Sequence, residues 1–323
     1  MAEYKGIQGY TLDKLSSDPT ASEAAGRLWF NTNTGTWKYA VAQTVADGSW
    51  TSAAAVNQTG MNRKGTGSTT AAMIVGGSFP TPTNNYSEEF DGSSWTVGNT
   101  TSQGRSNPGA CGTQTAALSG STGSPNTSVE EYDGTNWTAA PALNNGRGNA
   151  GNWYGPASAA QANGGPASFC EQYNGTAWSE VADLSNGYQG RCAFGTQTAA
   201  VTGGGEGGQT ATELWNGSAW SSGSAMNSGR GNFEGSGIST LGIAAGGGEP
   251  GTPADEGERT ESYDGSTWTT RAAMNQTHGD GTGMGGVGST ASATFCVCGY
   301  TSGNQTACEL WSYDAYTTKT VSN

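Results

Sequence analysis

The segment ELWNGSAW, from Glu213 to Trp220, decides the fold because its pattern recurs six times along the chain. In each copy an acidic residue is followed two positions later by an aromatic residue and seven positions later by Trp, or once by Tyr. The copies begin at Glu88, Glu130, Glu171, Glu213, Glu261 and Glu309. This spacing of 41 to 48 residues is the period of a four-stranded propeller blade rather than of a helical repeat.

The chain has one more Trp-type position than there are Gly-rich second strands. The seven Trp-type positions are Trp50, Trp95, Trp137, Trp178, Trp220, Trp268 and Tyr316. Trp50 is followed, as in the other copies, by an apolar residue and then a polar residue, Val56 and Asn57. After Tyr316 the sequence ends without the apolar residue. We therefore expect residues 45–57 to form the outer strand of the sixth blade and to join both ends of the chain.

Four strands per copy follow from the order of the segments. A Gly-rich stretch, an apolar run, the acidic-aromatic segment and the Trp segment succeed one another. Asp-Gly and Asn-Gly pairs, such as Asp91-Gly92, predict hairpins between the third and fourth strands. The connections from second to third strands vary most in length, and in an antiparallel blade they lie on the same face as the segments between blades. We call this the variable face and expect recognition there.

The residues after each Trp carry a family resemblance. An apolar residue follows six positions later, and Arg105, Arg147 and Arg230 stand at the tenth position. Together with the glycine pair that ends the apolar run, this order resembles the Kelch repeat over about residues 45 to 323. The resemblance implies an all-β, six-bladed Kelch-like β-propeller but no particular chemistry. We expect the repeat Glu residues to pair with these arginines or with backbone groups, which is a structural role.

Residues 1–44 lack the repeat. The stretch RLWFNTNTGTWKYAV, from Arg27 to Val41, alternates around Asn33-Thr34-Gly35 and predicts a β-hairpin. The SSDP segment ahead of this hairpin, and the GTQTAA runs in the body, resemble parts of tail-fibre and related virion proteins of marine bacteriophages. The resemblance implies an N-terminal attachment arm and hairpin in residues 1–44 and a propeller domain in residues 45–323. A strand donor with an unstructured leader is the alternative for the N-terminal part.

The amino-acid composition and net charge argue against several classes of function. With 54 Gly and 33% hydrophobic residues, the chain suits thin cores between sheets that aromatic side chains fill. The net charge of −13 argues against binding nucleic acid. No run reaches the roughly 18 apolar residues of a membrane span, and no signal peptide is recognisable. We expect synthesis in the host cytoplasm, residence in the virion and no membrane insertion.

Catalysis and metal binding find little support. The chain has one histidine, His278, which occupies the Arg position of its copy and is interpreted as a substituted structural residue. The six cysteines are expected to be free buried thiols. We predict no enzymatic activity, no cofactor and no metal. Paired carboxylates or a loosely held Ca²⁺ in the long loop that contains Glu249, Asp255, Glu256 and Glu258 are the alternatives that this loop leaves open.

Candidate binding residues lie in segments of the variable face. Trp153 and Tyr154 stand out because other copies have small residues there, and an exposed aromatic pair stacks well on a sugar ring. The other interpretation is that both fill the first strand of an irregular blade. The remaining candidates are Arg63, Lys64, Phe79 and Tyr86, with the acidic residues of the long loop: Glu249, Asp255, Glu256 and Glu258.

Two classes of function are compatible with these features. The first is a non-enzymatic, tail-fibre-like virion protein that binds other virion proteins through its N-terminal arm and a host-surface glycan or protein through its propeller, as a homo-oligomer in the particle. A capsid decoration or head-fibre protein without a receptor role shares the same fold. The second class is a propeller glycosidase or lyase that acts on host polysaccharide.

Overall fold

The regular structure of the chain is almost entirely β. The structure is a computed structural model that describes residues 13–17, 28–42, 48–78, 83–120, 126–147, 151–165, 167–248, 257–279, 283–285, 293–299, 306–313 and 316–320. These residues contain 28 strands and the 3-10 helix Ala157–Ala159. Contacts divide the chain into two units, Met1–Gly48 with Tyr313–Asn323, and Ser49–Ser312. The all-β prediction is confirmed.

The first unit contains one four-stranded sheet. Its strands, numbered along the chain, are β1 (Asp13–Leu15), β2 (Leu28–Asn31), β3 (Thr36–Ala42) and β28 (Tyr316–Thr320). β2 and β3 pair antiparallel around a turn in which Gly35 adopts a φ of +66°. The hairpin predicted at this place is therefore confirmed. β1 adds to β2 in parallel, and β28 adds to β3 antiparallel.

The second unit contains six four-stranded antiparallel sheets, which we number 1 to 6. Sheet 1 consists of β5 (Lys64–Ser68), β6 (Ala71–Val75), β7 (Ser87–Phe90) and β8 (Trp95–Val97), and sheet 2 of β9 (Gly109–Thr113), β10 (Ala116–Gly120), β11 (Val129–Tyr132) and β12 (Trp137–Ala140). Sheet 3 consists of β13 (Asn152–Tyr154), β14 (Gln161–Asn163), β15 (Cys170–Tyr173) and β16 (Trp178–Val181), and sheet 4 of β17 (Cys192–Gly195), β18 (Ala200–Gly203), β19 (Thr212–Trp215) and β20 (Trp220–Ser222). Sheet 5 consists of β21 (Glu234–Ile238), β22 (Leu241–Ala245), β23 (Thr260–Tyr263) and β24 (Trp268–Thr270), and sheet 6 of β25 (Gly283–Gly285), β26 (Ala293–Val297), β27 (Cys308–Ser312) and β4 (Ser49–Ala53).

Sheet 6 takes its outer strand from the opposite end of the repeat region. β4 pairs antiparallel with β27, and Trp50 stands opposite Trp311 with the ring centroids 5.3 Å apart. The prediction that Trp50 lies in the outer strand of the last copy is confirmed. Tyr316, which the sequence analysis placed among the repeat aromatics, begins β28 and pairs with Ala42 instead. It cannot extend sheet 6 because β4 already occupies the outer edge of β27.

The first strands of the six sheets follow one another in a circle. β5, β9, β13, β17, β21 and β25 make contact in this order, and β25 in turn contacts β5. The second unit is therefore propeller-like, with the first strand of each sheet innermost.

The hairpins between third and fourth strands have the predicted residues but four-residue loops. In sheet 1 the Asp91 carboxylate accepts hydrogen bonds from the backbone N–H groups of Ser93 and Ser94 at 2.8 Å, and Gly92 adopts a φ of +93°. The same bonds recur at Asp133, Asn174, Asn216 and Asp264. The prediction of hairpins at the Asp-Gly and Asn-Gly pairs is confirmed.

The repeat Trp side chains connect neighbouring sheets. Trp50, Trp95, Trp178 and Trp268 are buried, whereas Trp137 and Trp220 are half-buried. The indole N–H of Trp268 in sheet 5 donates to Thr212 of sheet 4 at 3.0 Å, and that of Trp50 in sheet 6 donates to Thr260 of sheet 5 at 2.9 Å. Each acceptor is the residue directly before the repeat Glu of the preceding sheet.

Large aromatic side chains fit between sheets where glycine leaves room. A Cβ atom added at Gly242 of sheet 5 would lie 2.1 Å from the Phe194 ring of sheet 4. A Cβ atom at Gly109 of sheet 2 would lie 2.1 Å from the Trp153 indole of sheet 3. These glycines allow a bulky neighbour to enter, which explains how a chain with few aliphatic residues fills its cores.

We expect Gly242→Ala to destabilise the fold by about 1–3 kcal/mol, because the new methyl group overlaps the Phe194 ring in a close-packed site. Gly248→Ala is the control, since no atom of the described residues lies within 4 Å of the point that its new methyl group would occupy. Chemical denaturation measures both. Combining Gly242→Ala with Phe194→Leu should give a smaller loss than the sum of the two single changes, and simple additivity would contradict the proposed overlap.

We expect Val129→Thr to stabilise the protein by roughly 0.5–1.5 kcal/mol. The Trp178 indole N–H is buried and has no hydrogen-bond partner among the described residues. Val129 holds the position that Thr212 and Thr260 hold for Trp268 and Trp50. Val129 and Trp178 belong to the same core cluster. Thermal or chemical denaturation measures the gain, which should vanish in a Trp178→Phe background. A loss of stability would show that the new hydroxyl finds no partner.

Candidate functional site

The variable face consists of the segments that join outer to inner strands and second to third strands. The two kinds of segment bond directly to each other. In sheet 1, Gly77 N–H donates to the Arg105 carbonyl at 2.7 Å, and Arg105 N–H donates to the Asn84 carbonyl at 2.8 Å. Similar bonds join Leu143 to Thr127 at 2.9 Å. The prediction that both kinds of segment share one face is confirmed by these contacts.

A buried ion pair lies beneath this face in every sheet. The repeat Glu of the third strand meets a basic side chain that precedes the first strand of the same sheet. The pairs are Arg63–Glu88 (2.9 Å), Arg105–Glu130 (2.8 Å), Arg147–Glu171 (3.1 Å), Arg191–Glu213 (2.8 Å), Arg230–Glu261 (2.6 Å) and His278–Glu309 (3.2 Å). The predicted pairing of the repeat Glu residues with Arg105, Arg147 and Arg230 is confirmed, and it extends to all six sheets.

The same carboxylates accept a backbone N–H from the segment that leaves the preceding sheet. The donors are Asn57 for Glu88 (2.7 Å), Ser102 for Glu130, Asn144 for Glu171, Ser185 for Glu213 and Asn227 for Glu261 (2.8 Å each), and Asn275 for Glu309 (2.9 Å). Each Glu therefore connects its own sheet to the previous one and fixes the start of a variable-face segment.

Hydrogen bonding keeps the Glu130 carboxylate ionised. Burial alone would raise the pKa of Glu130, but hydrogen bonds from Arg105 and Ser102 outweigh it and hold the pKa below the ordinary 4.5. Burial lowers the pKa of Arg147 and Arg230, against the attraction of Glu171 and Glu261. Because the folded pKa of Glu130 is depressed, its contribution to stability is present above about pH 4.5 and is lost as the pH falls further.

The basic candidates Arg63 and Lys64 are not available to a ligand. Arg63 is 1% exposed and paired with Glu88, and Lys64 is 5% exposed and paired with Glu234. The role of Arg63 was not predicted because Arg63, like Arg191, stands thirteen residues after its Trp instead of ten. The assignment of Arg63 and Lys64 to a binding surface was wrong, since both charges are neutralised inside the protein.

The aromatic candidates Trp153 and Tyr154 are also buried. Trp153 packs in the cluster of sheets 2 and 3, and Tyr154 packs with Trp215 of sheet 4. The Tyr154 hydroxyl accepts a hydrogen bond from the Asn163 amide at 3.0 Å. The hypothesis of an exposed platform was wrong, and the alternative that both fill a first strand is correct. The glycines that admit Trp153 lie in another copy of the repeat, so its burial has no local signal.

The remaining candidates divide into described and undescribed residues. Tyr86 and Glu258 are half-buried, and Glu258 accepts a hydrogen bond from the Thr277 hydroxyl at 2.8 Å. Phe79, Glu249, Asp255 and Glu256 lie outside the described residues. Of the acidic set in the long loop, only Glu258 therefore belongs to the described residues.

An exposed aromatic residue that the sequence analysis missed lies on the variable face. Phe169, in the short connection of sheet 3, is 39% exposed. Its backbone is fixed, because its carbonyl accepts hydrogen bonds from the buried Arg147 guanidinium and from Gly164 N–H. On the next interblade segment, Tyr188 is half-buried beneath the Arg191 guanidinium, 5.5 Å from the ring centroid. An aromatic residue in a second-to-third loop was the available signal for Phe169.

The centre of the circle holds a small cavity of about 30 Å³. Lys64, Asn152, Trp153, Phe194 and Glu234 line it together with inner-strand glycines. This volume suits one or two water molecules and is too small for a sugar ring. Burial lowers the pKa of Lys64 to about 7, whereas the Glu234 carboxylate in contact with it favours the charged form.

The described residues offer little for metal or nucleophilic chemistry. No group of three or more His, Cys, Asp or Glu side chains in the described part is arranged to hold a metal ion. The six cysteines are free and buried, as expected, and burial raises the pKa of Cys170 and Cys298 to about 11. No helix among the described residues has the length and apolar character needed to cross a membrane.

Comparisons with known proteins bear on the fold alone. No family model matches the chain, and no curated protein matches it. Among solved structures, the chain is similar to one titled "Structure of YjhT", with a TM-score of 0.63 and 11% sequence identity. The match covers 82% of this chain and 99% of that one. It supports the all-β, propeller-like architecture and transfers no activity or ligand.

We expect Glu130→Gln to destabilise the fold by about 3–5 kcal/mol, because it leaves the buried Arg105 charge without a counter-charge. Glu131→Gln is the matched control, since Glu131 is the next residue and is exposed. Urea denaturation at pH 7 measures both, and the control should change stability by less than about 0.5 kcal/mol. Equal stability of the two variants would contradict the structural role of the pair.

Proposed function

We propose that this chain is a non-enzymatic, tail-fibre-like virion protein of a bacteriophage, whose six-bladed, Kelch-like propeller presents its variable face to a glycan on the host surface. The sequence resemblances support the virion and Kelch assignments. The observation that carries the recognition role is Phe169, an exposed aromatic ring on a backbone that buried residues hold in place. A loop backbone held in this way loses little conformational entropy when a sugar stacks on the ring that it carries.

The rigid network under the face supports the same proposal. Six buried carboxylates fix the starts of the interblade segments, so the loops between these points are free to differ in length and sequence. Binding residues placed on such loops acquire a defined geometry from the scaffold. The half-buried Tyr188 adds a second ring at the same face.

The exposed apolar residues of the first unit support a role in attachment to the virion. Leu28, Trp37 and Tyr39 are each 38% exposed. Leu28 stands opposite Tyr39, and Trp37 stands opposite Phe30, so the four side chains share one face of the sheet. Large apolar side chains grouped on one face mark protein contacts more often than isolated ones do. We propose that this unit binds another virion protein and that the protein is a homo-oligomer in the particle.

We expect Phe169→Ala to weaken binding to bacterial surface polysaccharide by at least about tenfold, since aromatic anchors at binding surfaces contribute more than about 1.4 kcal/mol. The matched control is Val97→Ala, which removes a 50% exposed apolar side chain from an outer strand. Purified parent and variants are applied to a panel of bacterial polysaccharides and to whole cells, with folding checked by circular dichroism. Parent that binds and is unaffected by Phe169→Ala would remove Phe169 from the site. Parent that binds nothing would favour capsid decoration, and parent that degrades the polysaccharide would favour the enzyme class.

A further inference from the structure

Sheet 6 differs from the other five sheets in its buried cation. Sheets 1 to 5 pair the repeat Glu with Arg, whereas sheet 6 pairs Glu309 with His278, the single histidine of the chain. Both side chains are fully buried. Arginine keeps its charge at any pH that a protein tolerates, but histidine changes its charge between about pH 5 and 8. The substitution therefore makes one of six equivalent joints sensitive to protons.

The contacts of the imidazole define its protonation state. Nδ1 lies 2.6 Å from the carbonyl oxygen of Cys298, and Nε2 lies 3.2 Å from Oε1 of Glu309. A carbonyl oxygen and an ionised carboxylate can accept hydrogen bonds but cannot donate them. Burial would raise the pKa of Glu309, but hydrogen bonds from His278, Asn275 and Gln276 hold it below its ordinary value. With an acceptor at each nitrogen, the ring satisfies both contacts only as the doubly protonated imidazolium.

The titratable and charged groups around the ring come from four segments. Glu309 lies on β27 and supplies the counter-charge. The Cys298 thiol follows β26, and burial raises its pKa to about 11, so it stays neutral near pH 7. Glu258 lies on the connection before β23, where its carboxylate accepts from the Thr277 hydroxyl, and the His278 N–H donates to the Gly257 carbonyl at 3.0 Å. Arg63 of sheet 1 interacts with the Cys298 thiol and pairs with Glu88.

This network holds the strand that completes the circle of sheets. The Asn275 amide donates to Oε2 of Glu309 at 2.7 Å and to the Trp50 carbonyl at 2.9 Å. Trp50 belongs to β4, whose pairing with β27 completes sheet 6. If the proton at the Nε2–Oε1 contact leaves, Nε2 of His278 and Oε1 of Glu309 face each other as two buried acceptors. The Glu309 carboxylate, to which Asn275 donates, then has lost its counter-charge.

We propose that His278 and Glu309 form a proton-dependent latch, which holds β4 in sheet 6 while the imidazole is protonated and releases it as the pH rises. Removal of the proton from Nε2 leaves neutral histidine opposite the Glu309 carboxylate, and the proton passes to solvent during local opening. The folded sheet then binds a proton that the opened form does not need, so opening becomes more favourable at higher pH.

The protonation state is tested on the unaltered protein. Because the chain has one histidine, ¹⁵N-labelling of histidine gives signals from His278 alone. We expect both ring nitrogens to carry a proton at pH 6, with the charged form lost on raising the pH towards 9. A neutral ring at pH 6, or a charged ring that persists unchanged at pH 9, would overturn the proposal.

The release of β4 is tested by hydrogen exchange between pH 5 and 9. We expect protection of Ser49–Ala53 to fall with pH by up to about tenfold per pH unit, after correction for intrinsic exchange, as one linked proton requires. β24 (Trp268–Thr270) is the internal control, because it is the outer strand of sheet 5, whose pair is Arg230–Glu261. Equal pH dependence of the two strands would refute the latch even if the ring titrates.

His278→Arg supplies the matched variant, because arginine makes the equivalent ion pair with the repeat Glu in the other five sheets. We expect it to fold and to remove the extra pH dependence of β4 while leaving β24 unchanged. A variant that folds and retains the parental pH dependence would overturn the proposal. If the variant does not fold, the comparison of β4 with β24 in the parent still decides the outcome.

Discussion

The buried carboxylate of the repeat Glu is the constraint on which the second unit depends. An ionised carboxylate below the surface costs several kcal/mol unless donors meet it from more than one side. Here one donor is the Arg or His of the same sheet, and another is a backbone N–H from the segment that arrives from the preceding sheet. No sheet can satisfy its own Glu alone, so the arrangement of neighbours is specified by an interaction that each sheet needs in order to be stable.

The cores between sheets are packed in a different way. A large aromatic side chain on one sheet requires glycines on the sheet that it packs against. Phe194 enters sheet 5 over Gly235 and Gly242, and Trp153 enters sheet 2 over Gly109 and Gly120. The packing of aromatic rings against glycines explains how a chain with 33% hydrophobic residues and 54 glycines packs well. It also means that the glycines are as specific as the aromatic residues, because a methyl group at either position would collide with the ring.

The repeat pattern predicted most of the fold, since strand order, hairpins and the placement of Trp50 follow from the spacing of a few residues. It predicted the candidate site poorly. Trp153 and Tyr154 look exposed in a local comparison of copies, but the space that buries Trp153 is created by glycines more than thirty residues away. Arg63 looks like half of a surface basic pair because three extra residues move it out of register with the other arginines. Contacts between copies, rather than patterns within one copy, decide these cases.

The pairing of β4 with β27 has a consequence for how the protein is made. Thr51 bonds to Leu310, 259 residues further along the chain. At about 5–20 residues per second, a ribosome needs roughly 10–50 s to synthesise that interval. During this time β4 has left the ribosome without its partner strand, and its unpaired edge is a template for pairing with another copy. Slow completion of sheet 6 therefore makes exchange of β4 between nascent chains a route to misassembly.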